Sequence, residues 1–179
     1  MINRSNLIKF QIFSALFAII LGIILHFTYS LSGNNSIIGL ISAINESTWE
    51  HLKLLFFPML ITTIIGYLYI GKSISNFLCA KTIGIVSSIL FTIVFFYTYT
   101  GILGTNYAVL NILTFIFSVI LGEYITYKII VSYFSCDNNL AIISLILLSL
   151  CFIIFTYYTP KLGLFKDPIS WEFGLLNNI

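Results

Sequence analysis

Five long apolar stretches dominate this sequence and leave few residues to form anything else. Each is close to the ~20 residues that an α-helix needs to cross the hydrocarbon core of a bilayer. Since isolated strands leave backbone groups unpaired in lipid, we expect helices. The sequence therefore predicts an all-α, integral membrane helical bundle with about five transmembrane helices. They cover roughly residues 7–29, 48–70, 77–100, 107–133 and 140–158.

The scarcity of charge supports a membrane location. Of the 179 residues, 59% are hydrophobic and 8% are charged, whereas soluble domains carry about 25% charged residues. The net charge is +2 and the sequence contains no basic run, so nucleic acid is not an expected partner. We expect one membrane domain over residues 1–179, with lipids as its surroundings.

The basic residues predict an orientation, because cytoplasmic loops of membrane proteins are enriched in Lys and Arg. With a cytoplasmic N-terminus, three basic residues are extracytoplasmic, namely Lys53, Lys161 and Lys166. The other five are then cytoplasmic: Arg4, Lys9, Lys72, Lys81 and Lys128. This bias predicts a multi-pass plasma-membrane protein with its N-terminus in the cytoplasm and its C-terminus outside.

Two segments do not fit simple membrane spans. Residues 36–43 are apolar but too short to cross, which indicates a re-entrant or interfacial segment. Residues 159–179 contain Pro160, Phe165 and Trp171, and we expect this aromatic tail to pack on the outer end of the bundle. The cysteines are far apart and form no C-x-x-C pair, so we expect small packing residues rather than metal or redox groups. They are Cys79, Cys136 and Cys151.

The most polar segment is residues 45–53, at the entrance to the second stretch. It holds two of the six acidic residues and one of the two histidines. On a helix, Glu46 and Glu50 share a face at i,i+4, with Lys53 near Glu50 at i,i+3. The side chain of His51 points about 100° away from that of Glu50.

A structural role and a chemical role compete for this segment. Ser47 and Glu50 have the spacing of a capping box, in which both side chains satisfy free amides at a helix start. That role leaves Glu46, Trp49 and His51 without an explanation. Helical metal ligands usually lie at i,i+3 or i,i+4, whereas Glu46 and His51 are at i,i+5, so a metal would require ligands from another helix.

His26 is the candidate for such a ligand, because it lies near the same outer end of the first stretch. Together with Glu46, Glu50 and His51 it could form an acid/base or metal constellation. The alternative is an interfacial histidine that makes an ordinary hydrogen bond.

Two further residues stand out inside the predicted helices. Glu123 lies about 12 Å from the inner end of the fourth stretch, where an ionisable group either functions or requires a partner such as Lys81 or a tyrosine hydroxyl. Pro58 frees the carbonyl of Leu54 and is expected to kink the second helix and open space below His51.

Three sequence blocks stand out: NESTWEHLKLLFFP at residues 45–58, FFYTYTGILG at residues 95–104 and LFKDP at residues 164–168. They resemble blocks of a family of small bacterial multi-pass membrane proteins of unknown function. The family tends to follow the last block with TG-x-YG, where this chain has ISWEFG at residues 169–174. The resemblance implies a multi-pass architecture and no particular activity.

These patterns leave three functions open. The preferred one is a small-molecule or lipid binding or transport module, acting alone, as a homo-oligomer or with a partner subunit. The alternatives are an intramembrane acid/base or metal-dependent enzyme on a lipid-like substrate, and a structural or accessory protein. The pocket is expected to be lined by His26, Glu46, Glu50, His51, Trp49, Tyr97 and Tyr99.

Overall fold

The structure is a computed structural model that describes residues 4–132 and 134–175. Tyr133, the predicted end of the fourth stretch, and residues 176–179 of the tail lie outside the described residues. Within these described residues, five α-helices are long and apolar enough to cross a membrane, which confirms the predicted all-helical architecture. They are α1 (Arg4–Leu31), α2 (Thr48–Tyr69), α3 (Phe77–Leu103), α4 (Ala108–Val131) and α5 (Asn138–Tyr157).

Successive helices run in opposite directions, so the bundle has two distinct ends. The end of α1 meets the start of α2, where the rings of His26 and His51 are 5.2 Å apart. The starts of α1 and α3 meet at the opposite end, where the rings of Phe10 and Phe77 are 6.4 Å apart. We call these the histidine end and the N-terminal end.

Helix α2 is the centre of the bundle. Of its most apolar 18-residue window, 61% is buried, against 22–44% in the other four helices. Its inward side chains Leu52, Leu55, Phe56 and Met59 are at most 1% exposed and pack against neighbouring helices. Side chains on α2 are therefore held more firmly than those on the lipid-facing helices.

Helices α3 and α4 pack closely through small residues. A Cβ atom on Gly122 would lie 2.0 Å from the Ser88 hydroxyl and 2.7 Å from the carbonyl of Gly84. The Ser88 hydroxyl also donates to the carbonyl of Ser118 at 2.7 Å. Small residues that let backbones approach, joined by hydroxyl hydrogen bonds, are a typical way for membrane helices to associate.

Residues 36–43 lie across the histidine end as a series of turns around a short 3₁₀ turn, Ile38–Leu40. The hydroxyl of Ser42 accepts from the amide of Tyr29 at 3.0 Å and donates to the carbonyl of Leu25. The segment is thus joined to the last turns of α1.

The tail also lies on the histidine end. The ring of Phe165 is 4.7 Å from that of Trp49 and 5.6 Å from that of Phe155. The amide of Leu175 donates to the carbonyl of Thr156 at 3.1 Å. Residues 159–175 therefore cover the ends of α2 and α5.

The cysteines differ from the sequence-based expectation of three packing residues. Cys79, at the start of α3, forms a disulfide with Cys136, which precedes α5, and Cys151 is free. The two cysteines are 57 residues apart in sequence, and only the fold brings the start of α3 next to the segment before α5 at the N-terminal end.

Candidate functional site

The start of α2 is built by a partial capping arrangement. Ser47 is extended and its hydroxyl accepts from the amide of Glu50 at 3.3 Å, as predicted for a helix cap. The carboxylate of Glu50 accepts from the amide of Ile44 at 3.0 Å, and Asn45 accepts from the amide of Ser47 at 3.0 Å. Only the serine half of the predicted capping box is formed.

Glu50 points into the bundle rather than towards His51, which differs from its expected place in the pocket. Its carboxylate lies 2.5 Å from the Nζ atom of Lys53, and the two side chains are 3% and 0% exposed. Lys53 also donates to the carbonyl of Gly39 at 2.7 Å and to the hydroxyl of Thr156 at 3.0 Å. The pair therefore joins α2 to α5 and to the 36–43 segment.

Glu46 and His51 meet on the outer side of the same segment. Their Oε2 and Nε2 atoms are 3.5 Å apart, and both side chains are partly exposed. Because α2 begins at Thr48, Glu46 lies in a turn and the helical i,i+5 spacing does not apply to it. As one continuous helix this segment would hold the two side chains apart. With the turn before Thr48, Glu46 and His51 can direct their ligand atoms to the same place.

The imidazole of His51 is held in one orientation by the backbone. Its Nδ1 atom lies 2.9 Å from the carbonyl oxygen of Ser47, and since a carbonyl only accepts, Nδ1 carries a proton. The Nε2 atom then faces the carboxylate of Glu46, at 3.5 Å. Metal-binding histidines commonly use such a hydrogen bond to fix the ring and its tautomer.

His26 completes a group of three ligand-bearing side chains. One ligand atom each from His26, Glu46 and His51 lie within 4.8 Å of one another. The Nδ1 atom of His26 is enclosed and has no hydrogen-bond partner among the described residues. A buried polar atom without a partner is costly, and a bound ligand is one way to satisfy it.

The separation between Glu46 and His51 suits a small divalent ion. Two ligand atoms that bind tetrahedral zinc at 2.0–2.1 Å lie about 3.3 Å apart, close to the 3.5 Å between Glu46 and His51. Two histidines and one glutamate form the ligand set of several catalytic zinc sites, which leave the fourth position open. We call His26, Glu46 and His51 the metal-site triad.

The aromatic residues expected in the pocket have other partners. Trp49 stacks against Phe152 with ring centres 4.5 Å apart, and Tyr99 donates to the side chain of Asn111 between α3 and α4. The hydroxyl of Tyr97 lies 3.5 Å from that of Thr48, at the start of α2. The sequence positions of Trp49, Tyr97 and Tyr99 indicate that they lie at the histidine end, but not the direction in which each side chain points.

Pro58 opens no space below the triad. It is buried in α2, and a Cβ atom on Gly22 would lie 2.5 Å from the carbonyl of Leu54, the group that Pro58 leaves without its helical donor. The ring of Phe115 closes the same point at 2.5 Å. The floor of the site is therefore packed and apolar.

A second polar centre lies towards the N-terminal end and includes Glu123. Lys81 donates to both carboxylate oxygens of Glu123 at 2.8 and 2.7 Å and to the Ser14 hydroxyl at 2.9 Å. Ser14 in turn lies 2.8 Å from the hydroxyl of Thr62. Side chains from four helices thus supply the hydrogen-bond partners of this ion pair. This is the structural role that the sequence analysis considered for Glu123. Ser14 and Thr62 are partners that no sequence pattern indicated.

The sequence model of a protein family described as a family of unknown function (DUF6512) matches residues 1–175. The chain belongs to this family. Searches of curated proteins and of solved structures find no match. The family assignment agrees with the multi-pass architecture and assigns no chemistry to the triad.

Proposed function

We propose that this membrane protein binds a divalent transition-metal ion, with zinc as the best fit, through His26, Glu46 and His51. The observation that carries the proposal is the convergence of three ligand atoms within 4.8 Å from two separate parts of the chain. Imidazole and carboxylate together are typical ligands of zinc. The carbonyl of Ser47 supports the site by orienting His51.

The surroundings of the triad favour binding or surface catalysis over transport through the bundle. Gly22, Leu54 and Phe115 fill the space below it. Among residues 4–132 and 134–175, no chain of hydrogen-bonded side chains joins the triad to the Lys81–Glu123 pair. An ion that enters from the histidine end therefore has no polar path to the opposite end.

Metal-assisted hydrolysis is the second candidate function. Three protein ligands leave a fourth position for water, and zinc lowers the pKa of its bound water to near neutrality. Glu46 is exposed, and the site opens where α1 ends and α2 begins. An ester or phosphoester at the headgroup level of the membrane is the substrate class that could reach it.

The proposed orientation places this site outside the cell. Lys53 and Lys81 are both buried in ion pairs, so they no longer bear on membrane topology. The remaining cations are Arg4, Lys9, Lys72 and Lys128 at the N-terminal end and Lys161 and Lys166 at the histidine end. This four-to-two bias supports a cytoplasmic N-terminus.

The disulfide points the other way, because cytosolic thiols are normally kept reduced. With a cytoplasmic N-terminal end, Cys79 and Cys136 should react with a membrane-permeable alkylating reagent in intact cells and pair only after oxidation. If instead both cysteines resist alkylation in cells until a reductant is added, the N-terminal end faces the oxidising side and the proposed orientation is incorrect.

The metal proposal is tested by titrating zinc into the purified, metal-free protein in detergent, with calorimetric detection. We expect about one ion per chain. Loss of a hydrogen bond that supports a metal ligand weakens metal binding about 10- to 100-fold. Loss of a ligand itself should weaken zinc binding by more than this in each of three variants: His26→Asn, Glu46→Gln and His51→Gln.

Glu172→Gln is the matched control, since it removes an exposed carboxylate from the tail and should bind zinc like the unmodified protein. The proposal fails if the unmodified protein binds no zinc, or if the three triad variants bind it as tightly as the control. The second candidate is tested separately, by zinc-dependent release of product from a short-chain ester or phosphoester that is lost in His51→Gln.

A further inference from the structure

A groove between α1 and α4 opens sideways from the bundle, towards lipid. It has a volume of about 470 Å³ and is bordered by Gln11, Glu123, Tyr124 and Tyr127 among apolar side chains. The apolar part of its wall consists of Ile8, Ile12, Ala15, Leu16, Ile19 and Ile120. Because it lies within two membrane-spanning helices, hydrocarbon rather than water is its natural content.

One polar group in the groove is incomplete. The side chain of Gln11 is buried, with the residue 6% exposed, and neither its Nε2 nor its Oε1 atom has a partner among the described residues. Glu123 lies beside it but is already bonded to Lys81 and Ser14. The amide of Gln11 is therefore available to a ligand in the groove, and the ion pair leaves no uncompensated negative charge there.

Two exposed cations lie one helical turn beyond residues that line the groove, towards the membrane surface. Arg4 lies one turn before Ile8 on α1, and Lys128 lies one turn after Tyr124 on α4, so both share the grooved faces of their helices. Both are exposed, and neither forms an ion pair with any residue in the described part of the chain. An anionic group at this position would be matched by two positive charges.

The three features fall at depths that suit one kind of molecule. Gln11 is seven residues from Arg4, or about 10 Å along the helix. Each interfacial layer of a bilayer is roughly 5–8 Å thick, which places Gln11 near the boundary where the ester groups of phospholipids lie. From the membrane surface inwards, the protein thus presents two cations, an amide and an apolar groove. A phospholipid presents its phosphate, ester groups and acyl chains in the same order.

We propose that the groove binds one anionic glycerophospholipid. Its acyl chain lies against Ile12 and Ala15, an ester carbonyl accepts a hydrogen bond from Nε2 of Gln11, and its phosphate lies between Arg4 and Lys128. The site is independent of the metal-site triad, which is at the opposite end of the bundle.

The test measures lipid binding to the delipidated, detergent-solubilised full chain by native mass spectrometry, with a chelator present. The probes are phosphatidylglycerol and phosphatidylcholine with identical acyl chains. The unmodified protein should retain one phosphatidylglycerol in preference to phosphatidylcholine. The double variant Arg4→Gln with Lys128→Gln should bind phosphatidylglycerol at least about tenfold more weakly, because loss of even one charge-assisted hydrogen bond has that scale.

Two further variants separate the parts of the site. Ala15→Phe fills the groove and should reduce binding of both lipids, whereas Val94→Phe, on an exposed face of α3, should not. Lys72→Gln, another exposed cation at the N-terminal end, controls for general charge and should keep the preference for phosphatidylglycerol.

The proposal is overturned if the Arg4 and Lys128 substitutions leave the preference for phosphatidylglycerol unchanged in protein of unaltered melting temperature. It is also overturned if Ala15→Phe retains lipid but converts a dimer to a monomer, because the groove would then hold a second copy of the chain.

Discussion

The two polar centres of this bundle contain similar residue types but differ in how completely their hydrogen-bonding groups are used. Lys81 and Glu123 are almost fully buried and share four charge-assisted bonds with each other and with Ser14. The triad is partly exposed, and Nδ1 of His26 has no partner among the described residues. The first arrangement needs nothing more, whereas the second keeps ligand atoms that the proposed metal ion would use.

Glu46 and Glu50 repeat this contrast within one turn of sequence. Glu50 is 2% exposed and is bonded to Lys53 and to the amide of Ile44. Glu46 is exposed and lies near the two histidines, with its carboxylate 3.5 Å from Nε2 of His51. Two carboxylates four residues apart therefore have different surroundings, and we expect substitution to separate a structural role for Glu50 from the proposed metal-binding role of Glu46.

The largest expected effect comes from breaking the Lys81–Glu123 pair. Lys81→Met leaves a buried carboxylate without its counterion, and we expect a loss of about 3–5 kcal/mol in the free energy of unfolding. Thermal unfolding in detergent measures it. The double variant with Glu123→Leu should recover most of the loss, because no uncompensated charge remains. Unaltered stability of Lys81→Met would show that the pair does not hold the four helices together.

Glu50→Gln should destabilise by about 3 kcal/mol, because Lys53 keeps two neutral partners but loses its counterion. Glu46→Gln is the matched change on the exposed carboxylate and should alter stability by no more than about 0.5 kcal/mol. Chemical unfolding followed by tryptophan fluorescence compares the two. Equal losses in both variants would remove the distinction between a structural and a chemical glutamate.

Zinc should stabilise the folded protein through the triad. At a free concentration 100 times its Kd, a ligand that binds only the folded state contributes about 2.7 kcal/mol. The resulting rise in melting temperature should be absent in His51→Gln and retained in Glu172→Gln. A rise of equal size in His51→Gln would mean that zinc acts elsewhere on the protein.

Ser47→Ala should have a smaller effect, about 1 kcal/mol, the usual cost of losing a helix cap. Zinc affinity should stay within a few fold, because His51 is oriented by the backbone carbonyl of Ser47 and not by its hydroxyl. Ser47→Thr keeps a capping hydroxyl and serves as the control. A large loss of zinc affinity in Ser47→Ala alone would show that cap and site are coupled.

Much of the architecture follows from hydropathy, because lipid leaves the chain few alternatives to helices of about 20 residues. Hydropathy also places His26 and the residues before α2 at one end. It carries no information on side-chain direction within a turn, so it cannot distinguish Glu50 from Glu46, although α2 begins between them. That boundary decided which carboxylate faces His51.

Contacts between residues far apart in the sequence are the other feature that sequence patterns could not predict. The disulfide joins residues 57 positions apart, and Glu123 is satisfied by Ser14 and Lys81 from two other helices. Periodicity identifies the buried face of a helix but not which residue of another helix it meets. Lys81 could be proposed as a partner because few cations exist in the chain, whereas Ser14 is one of many hydroxyls.

The most direct test of the central claim is X-ray absorption at the zinc edge on the purified protein loaded with one equivalent of zinc. We expect a first shell of nitrogen and oxygen atoms only, at about 2.0–2.1 Å, with the outer-shell scattering of two imidazole rings and loss of one ring in His26→Asn. A sulfur ligand, or a spectrum unchanged by that substitution, would contradict a site built from His26, Glu46 and His51.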